Sequence, residues 1–361
     1  MVDVEEFRTE DKDRLLRDLR LMASGRFRAA GELITRYPWH FFMMVEIATD
    51  RLHHGFWRYS NRDHPLYEAD NPRKDVIRDF YGHIDGLIGS FLARLGDDAV
   101  VMVMSDHGAK SMLGGVSINE WLIRRGFLAL KARPETETYL TPDMIDWSRT
   151  KAWSDGGYYA RIFLNVQGRE PSGIVDPSDY HRVRDELAEE LAVIREDGNR
   201  PSVNRVIRPE ELYRACKEVP PDLIVYFDDL NRRAVGTVGT DSIFRSDNDK
   251  GPDDANHDPE GVFTCTRLSD LRNGIVDGRE VKGLSLLDIT PTILSHFGVS
   301  VPSDLAGRVI GPEGLTEHGD QRAAFGAPGA PSVSAPERGP VGYTEEEEEI
   351  IKKRLEELGY L

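Results

Sequence analysis

The tetrapeptide Ser105-Asp106-His107-Gly108 follows directly on an apolar run of alanine, valine and methionine at residues 99–104. A continuous apolar run of that length, bounded by turn residues, predicts a parallel strand buried on both faces. Open α/β sheets place their sites at the carboxyl ends of such strands. An aspartate beside a histidine at that point is a candidate pair of metal ligands. Alone, it reads equally well as an Asp capping the next helix beside an unrelated His.

The pair has company. A second apolar run, residues 41–48, leads into Thr49-Asp50-Arg51-Leu52-His53-His54, again a carboxylate and an imidazole just past an expected strand. Asp50 and His54 lie four apart, so one helical turn brings both side chains to the same face. Adjacent histidines on a helix point about 100° apart, which favours His54 over His53 as the partner of Asp50. Further on, Asn256-His257-Asp258-Pro259-Glu260-Gly261 precedes a strand-like stretch at 262–266. A lone His before Pro and Gly is an ordinary loop residue, and His257 gains weight only from the set.

Together these places resemble the metal-binding motifs of the alkaline phosphatase superfamily, in particular its type I phosphodiesterase and nucleotide pyrophosphatase branch with the related phosphohydrolases and phosphomutases. The resemblance runs through Thr49–Trp57, Ser105–Gly108, His257–Gly261 and Leu286–Leu294 with Phe297, Gly298 and Pro302. With the closing Leu358-Gly359-Tyr360-Leu361 it covers roughly residue 35 to the end. It implies an α/β, alkaline-phosphatase-like fold: a doubly wound, mostly parallel sheet sandwiched by helices, with a cap or insertion region and a C-terminal helix. It also implies two divalent ions about 4 Å apart that clamp phosphoryl oxygens. By position, Asp50, His54 and His257 hold one ion, and Asp106 and His107 the other. Mixed imidazole and carboxylate donors suit zinc and admit manganese or iron, in preference to magnesium or calcium. The implied activity is that of a metal-dependent phosphoric ester hydrolase, phosphohydrolase or phosphomutase. A Thr or Ser nucleophile attacks phosphorus in line, and water then releases the phosphoryl-enzyme.

One part of the family pattern is not visible. Family members begin with a buried strand ending in a further Asp ligand, followed by the Thr or Ser nucleophile at the start of a helix. Here the chain before Trp39 carries charges every two or three residues, with Leu15, Leu16, Leu19 and Met22 at helical spacing, the pattern of an amphipathic helix. The expectation is an N-terminally incomplete core. A misassigned or interrupted start, a split enzyme whose missing segment is a separate chain, and a catalytically lost metal-binding or regulatory remnant all stand open. Thr49, Ser105 and Ser111 are the substitute nucleophiles near the ligands, although Thr49 and Ser105 read first as strand-end residues.

Residues 1–110 are read as the first part of the metal-binding core, 111–255 as a cap or insertion with some core strands, and 256–311 as the second part of the core. Residues 312–342, rich in Gly, Ala, Pro and Ser, read as a flexible linker, and 343–361 as a last helix capped by Thr344. Within these segments a helix is expected over 72–95, strands near 160–166 and 223–227, a charged helix over 178–196, and a helix opened by Asp288 and Pro291. Asn119, Trp121, Trp153, Tyr158 and Tyr159 are candidate pocket residues, with core positions as the equal alternative.

With 63 Asp and Glu against 46 Lys and Arg, a net charge of −17, no nucleic-acid surface is expected, because phosphate backbones are bound chiefly by Lys and Arg. Bound cations can still reverse the local potential for a small phosphate-ester substrate. No apolar run reaches membrane-spanning length, the acidic start lacks the features of a signal peptide, and two cysteines, Cys216 and Cys265, are too few for a disulfide framework. The sequence is thus read as cytoplasmic, with no membrane partner. An incomplete sheet exposes apolar edges, so a homo-oligomer, or a partner chain supplying the missing segment, is also expected.

Overall fold

The structure is a computed structural model that describes residues 3–196, 203–216, 219–275, 278, 280–311 and 314–316, together with Glu349 and Lys352. It divides into two compact units. The described residues of Met1–Gly96, His107–Phe263 and Ile351–Leu361 form one, and those of Asp97–Asp106 and Thr264–Ile350 the other.

The first unit opens with helix α1 (Lys12–Arg36), whose start is capped by the Asp11 carboxylate accepting from the Arg14 amide at 3.1 Å. Leu15, Leu19, Met22, Ala30 and Ile34 are buried along one face, the amphipathic helix expected for this stretch. Helices α2 (Ala48–Ser60) and α3 (Val76–Leu92) pack against it through Leu52, Phe56, Val76, Phe80 and Ile84, and Val4 and Phe7 of the preceding arm join this cluster. The α3 helix begins later than the expected residue 72. Asn71 holds a turn there, donating to the Tyr59 and Glu68 carbonyls while its side-chain oxygen accepts from the Arg73 amide.

Residues 41–47 do not form the expected strand. They have no strand partner among the described residues. Phe42 packs on Phe91 of α3, and Arg26 of α1 donates to the Val45 carbonyl. Phe41, Met43 and Val45 are 54%, 68% and 67% exposed, so the alternation of a strand is present without the neighbouring backbone that would make it one.

After α3 the chain makes β1 (Val100–Met104), which belongs to the other unit, then β2 (Gly108–Ser111), β3 (Gly115–Ser117) and α4 (Ile118–Arg124). It continues through β4 (Thr138–Tyr139), β5 (Ala152–Asp155), β6 (Ala160–Leu164), α5 (Tyr180–Ala192) and β7 (Arg205–Ile207). Then come α6 (Pro209–Leu212), β8 (Leu223–Tyr226), β9 (Arg233–Val235), β10 (Thr237–Val238), β11 (Phe244–Arg245) and β12 (Ala255–Asp258). The largest sheet is antiparallel, in the order β5-β6-β8-β7. Its Ala160, Ile162, Leu164, Leu223 and Val225 share a core with Val183, Leu187 and Leu191 of α5, residues spaced by one helical turn. Strand β3 lies between β11, antiparallel, and β9, parallel.

The pairing that matters most for the site is the antiparallel ladder of β2 and β12, which sets Gly108 opposite Asp258 and Ala109 opposite His257. A Cβ at Gly108 would lie 2.1 Å from the Glu260 carbonyl oxygen, so only glycine admits this close approach.

In the second unit β1 pairs with β13 (Phe263–Arg267), and α7 (Leu268–Arg272) follows at once, the Leu268 amide donating to the Ala99 carbonyl at 2.9 Å. Strand β1 is present as expected, but it is half-buried, with Val103 and Met104 exposed, rather than covered on both faces. Asp288 stands at the N-cap position of α8 (Ile289–His296), with Pro291 in the first turn. Its carboxylate accepts from the amides of Ser285, at 2.8 Å, and Arg308, at 2.7 Å, and so ties the loop to β14 (Val309–Gly311) rather than capping the helix. Strand β14 pairs antiparallel with β15 (Gly314–Thr316), within the stretch read as linker. The rest of 312–342, and the expected terminal helix apart from Glu349 and Lys352, lie outside the described residues.

The architecture is mixed α/β, with eight α-helices and several small sheets among the described residues. Of the pairings whose register is defined between these strands, only β3 with β9 is parallel. The expected doubly wound parallel sheet is not seen among them.

Candidate metal centre

Two local structures bring the donors together. Asp50 lies in the first turn of α2 and His54 one turn later, with His54 Nε2 3.4 Å from Asp50 Oδ1. His53 turns away. Its ring stacks on Tyr81 at 5.8 Å between centroids, and its Nε2 meets the Tyr81 hydroxyl at 3.2 Å. The β2–β12 ladder supplies the other histidines. His107 precedes β2 and His257 lies in β12, and their rings stack at 3.7 Å and 12°. Their Nε2 atoms stand 3.8 and 3.7 Å from Asp50 Oδ1.

Asp50, His107 and His257 therefore form one group whose ligand atoms all lie within 4.8 Å of one another. Donors about 2.0–2.1 Å from a tetrahedral zinc stand about 3.4 Å from each other, so three atoms within 4.8 Å of one another could hold one ion. Asp106 falls in the second unit and is not a member of the group.

The protonation states suit the same chemistry. Burial, reinforced by His54 and His107, pushes His257 down to about 3, and burial likewise brings His53 to about 4. Burial pushes the Asp50 carboxyl up, but His54, through charge and hydrogen bond, and then His257 and Arg51 outweigh it, and its pKa falls below the ordinary carboxylate range. An ionised carboxylate facing a neutral imidazole is the donor state a divalent ion requires. His54 moves the other way. Burial lowers its pKa, but Asp253, Tyr158 and Asp50 raise it further, and it ends well above the usual imidazole value.

Behind the donors lies a buried polar chain. His54 Nδ1 is 2.7 Å from Asp253 Oδ1, Asp253 Oδ2 accepts from Arg8 Nε at 2.9 Å, and Arg8 Nη2 donates to the Tyr158 hydroxyl at 3.1 Å. The Tyr158 ring packs over His257 at 4.1 Å, with its hydroxyl 3.4 Å from His54 Nε2.

The remaining candidates have other places. Asn119 is buried and ties the Ser154 and Gly236 backbones together, Trp121 stacks on Phe127, Trp153 packs with Trp147 and Phe163, and Tyr159 meets Tyr226. Of these five, Tyr158 alone contacts the donor group. The Thr49 hydroxyl reaches the Glu46 carbonyl at 3.5 Å, Ser111 accepts from the Trp57 indole at 3.3 Å, and Ser105 lies in the second unit. Sequence reasoning missed Asp253 and Arg8. Each reads as a solvated charge, and only tertiary pairing distinguishes them.

The family model described as type I phosphodiesterase / nucleotide pyrophosphatase matches residues 4–251. The match thus starts well before residue 35, takes in α1 together with Asp50, His54 and His107, and ends shortly before His257. No curated protein matches the chain.

Proposed function

Because the chain belongs to the type I phosphodiesterase / nucleotide pyrophosphatase family, and through it to the alkaline phosphatase superfamily, we propose that it hydrolyses small phosphoric esters at the Asp50, His107 and His257 cluster with divalent metal bound. The observation that supports this most directly is the gathering of three donors from α2, the start of β2 and β12 within 4.8 Å of one another. Asp50 supplies the anionic oxygen, His107 and His257 supply ring nitrogens, and His54 adds a further donor one helical turn along. By the resemblance, Asp50, His54 and His257 serve one ion, and Asp106 with His107 a second. Zinc suits these donors best.

When bound, the metal supplies charge neutralisation at the phosphoryl oxygens. The chain's own residues do the positioning. The α2 helix sets the spacing of Asp50 and His54, the ladder holds His107 against His257, and Tyr158 with Phe7 covers the buried side of His54. A cytoplasmic location remains part of the reading, on the ground that two cysteines, Cys216 and Cys265, are too few for a disulfide framework. Among the described residues, no helix is long and apolar enough to cross a membrane.

The deciding experiment adds zinc or manganese to purified protein and follows hydrolysis of an activated phosphodiester. Turnover that His257→Ala abolishes is the expected outcome. Metal binding without turnover in either protein would instead mark a binding or regulatory role, and absence of zinc or manganese binding by calorimetry would remove the site assignment.

A further inference from the structure

We propose that Asp253 is a positioning residue that keeps a proton on His54 Nδ1, so that Nε2 is the ring nitrogen given up to a metal ion beside Asp50, and that Arg8 fixes Asp253 in turn. This rests on reading His54 as a metal ligand. A histidine can offer Nε2 to a cation only when Nδ1 carries the proton, and the partner of Nδ1 decides that tautomer. Asp253 Oδ1 stands 2.7 Å from Nδ1, a charge-assisted contact of full strength.

The carboxylate is completely buried, as is His54 to within 2%, so water does not compete for either group. Its second oxygen is taken by Arg8 Nε at 2.9 Å, which removes its freedom to rotate away and compensates its charge. Both carboxylate oxygens are thereby committed, one to the ring it orients and one to the cation that anchors it. The grip on α2 is double, because the Asp254 amide also donates to the His54 carbonyl at 2.8 Å. Asp253 lies four residues before His257, so the segment that orients one candidate ligand continues into the strand that carries another. Arg8 comes from the arm before α1, which makes that arm part of the site's support.

The test uses the full chain as wild type, Asp253→Asn, Asp253→Ala, and the double variant Arg8→Gln/Asp253→Asn, which leaves no buried charge unpaired. Zinc affinity is measured by competition with a chromophoric chelator on protein shown to be folded by circular dichroism. The proton position on His54 is read from nitrogen-15 shifts of the zinc-loaded wild type. Zinc binding is expected to weaken about 10-fold in Asp253→Asn and toward 100-fold in Asp253→Ala, the usual range for such outer partners. The double variant should show the same weakening as Asp253→Asn, and the wild-type spectrum should show His54 protonated on Nδ1. A purely structural ion pair would lower stability and leave zinc affinity unchanged, which overturns the inference, as would a proton found on Nε2. If affinity is unchanged in these variants while His257→Ala loses zinc, only this inference falls. If the wild type binds no zinc, the functional reading falls with it.

Discussion

Asp254, the neighbour of the residue that holds His54, sits in the opposite electrostatic situation. Burial pushes its carboxyl up to about 6, and Arg58 and Lys12 offset this only in part. An unfolded aspartate titrates near 3.9, so the folded protein holds this proton more tightly than the unfolded chain. The resulting stabilisation is present below about pH 4 and is lost as pH rises through about 6. Asp254→Asn is therefore expected to be more stable than the wild type at pH 8, by about 3 kcal/mol, with little gain at pH 4. Urea unfolding at the two pH values checks this, and a loss of stability at pH 8 would contradict it. Asp50, His54, His107 and His257 were legible in the sequence because acid and imidazole recur together beside apolar runs. Asp253 was not, because Gly251-Pro252-Asp253-Asp254 reads as an exposed acidic turn. Its partners lie 199 and 245 residues away along the chain, and no local pattern announces a pairing of that range.

At the scale of elements, legibility followed how far each depended on its own residues. The α1 helix carried its periodicity and its Asp11 cap locally and appears as expected. The run at 41–47 had the composition of a strand, but a strand is completed by a neighbour's backbone. The described structure gives it helices instead, and Phe41, Met43 and Val45 stay exposed. The antiparallel order β5-β6-β8-β7 was equally beyond reach, because apolar runs do not encode direction. Glycine separates local from tertiary demand clearly. Gly108→Ala places a Cβ against the Glu260 carbonyl oxygen and is expected to cost about 1–3 kcal/mol, while weakening zinc binding by shifting His107 against His257. Gly86→Ala, on an open face of α3 where a Cβ meets nothing within 4 Å, is expected to add about 0.5–1 kcal/mol. Thermal or urea unfolding of the two variants, read beside their zinc affinities, tests the pair.

Across the whole molecule, the proposed donors come from two layers of the first unit, since Asp50 and His54 belong to the helical cluster of α1–α3 and His257 to a strand paired with β2. A ligand bound only by the folded form stabilises it by about 2.7 kcal/mol at a hundredfold excess over its dissociation constant. Zinc should accordingly raise the unfolding midpoint in a concentration-dependent way, and a chelator should lower it. His257→Ala should be insensitive to both, and a midpoint indifferent to zinc in the wild type would count against the site. The ladder between β2 and β12 has a consequence for how the protein is made. It closes a loop that contains all of β3 to β11 and α4 to α6, and closure of so long a loop is entropically costly until the intervening chain has compacted. During synthesis the chain displays Asp50, His54 and His107 long before His257 exists. The full donor set is assembled only when the last strand of the ladder zips, so metal capture is expected to complete folding rather than to nucleate it.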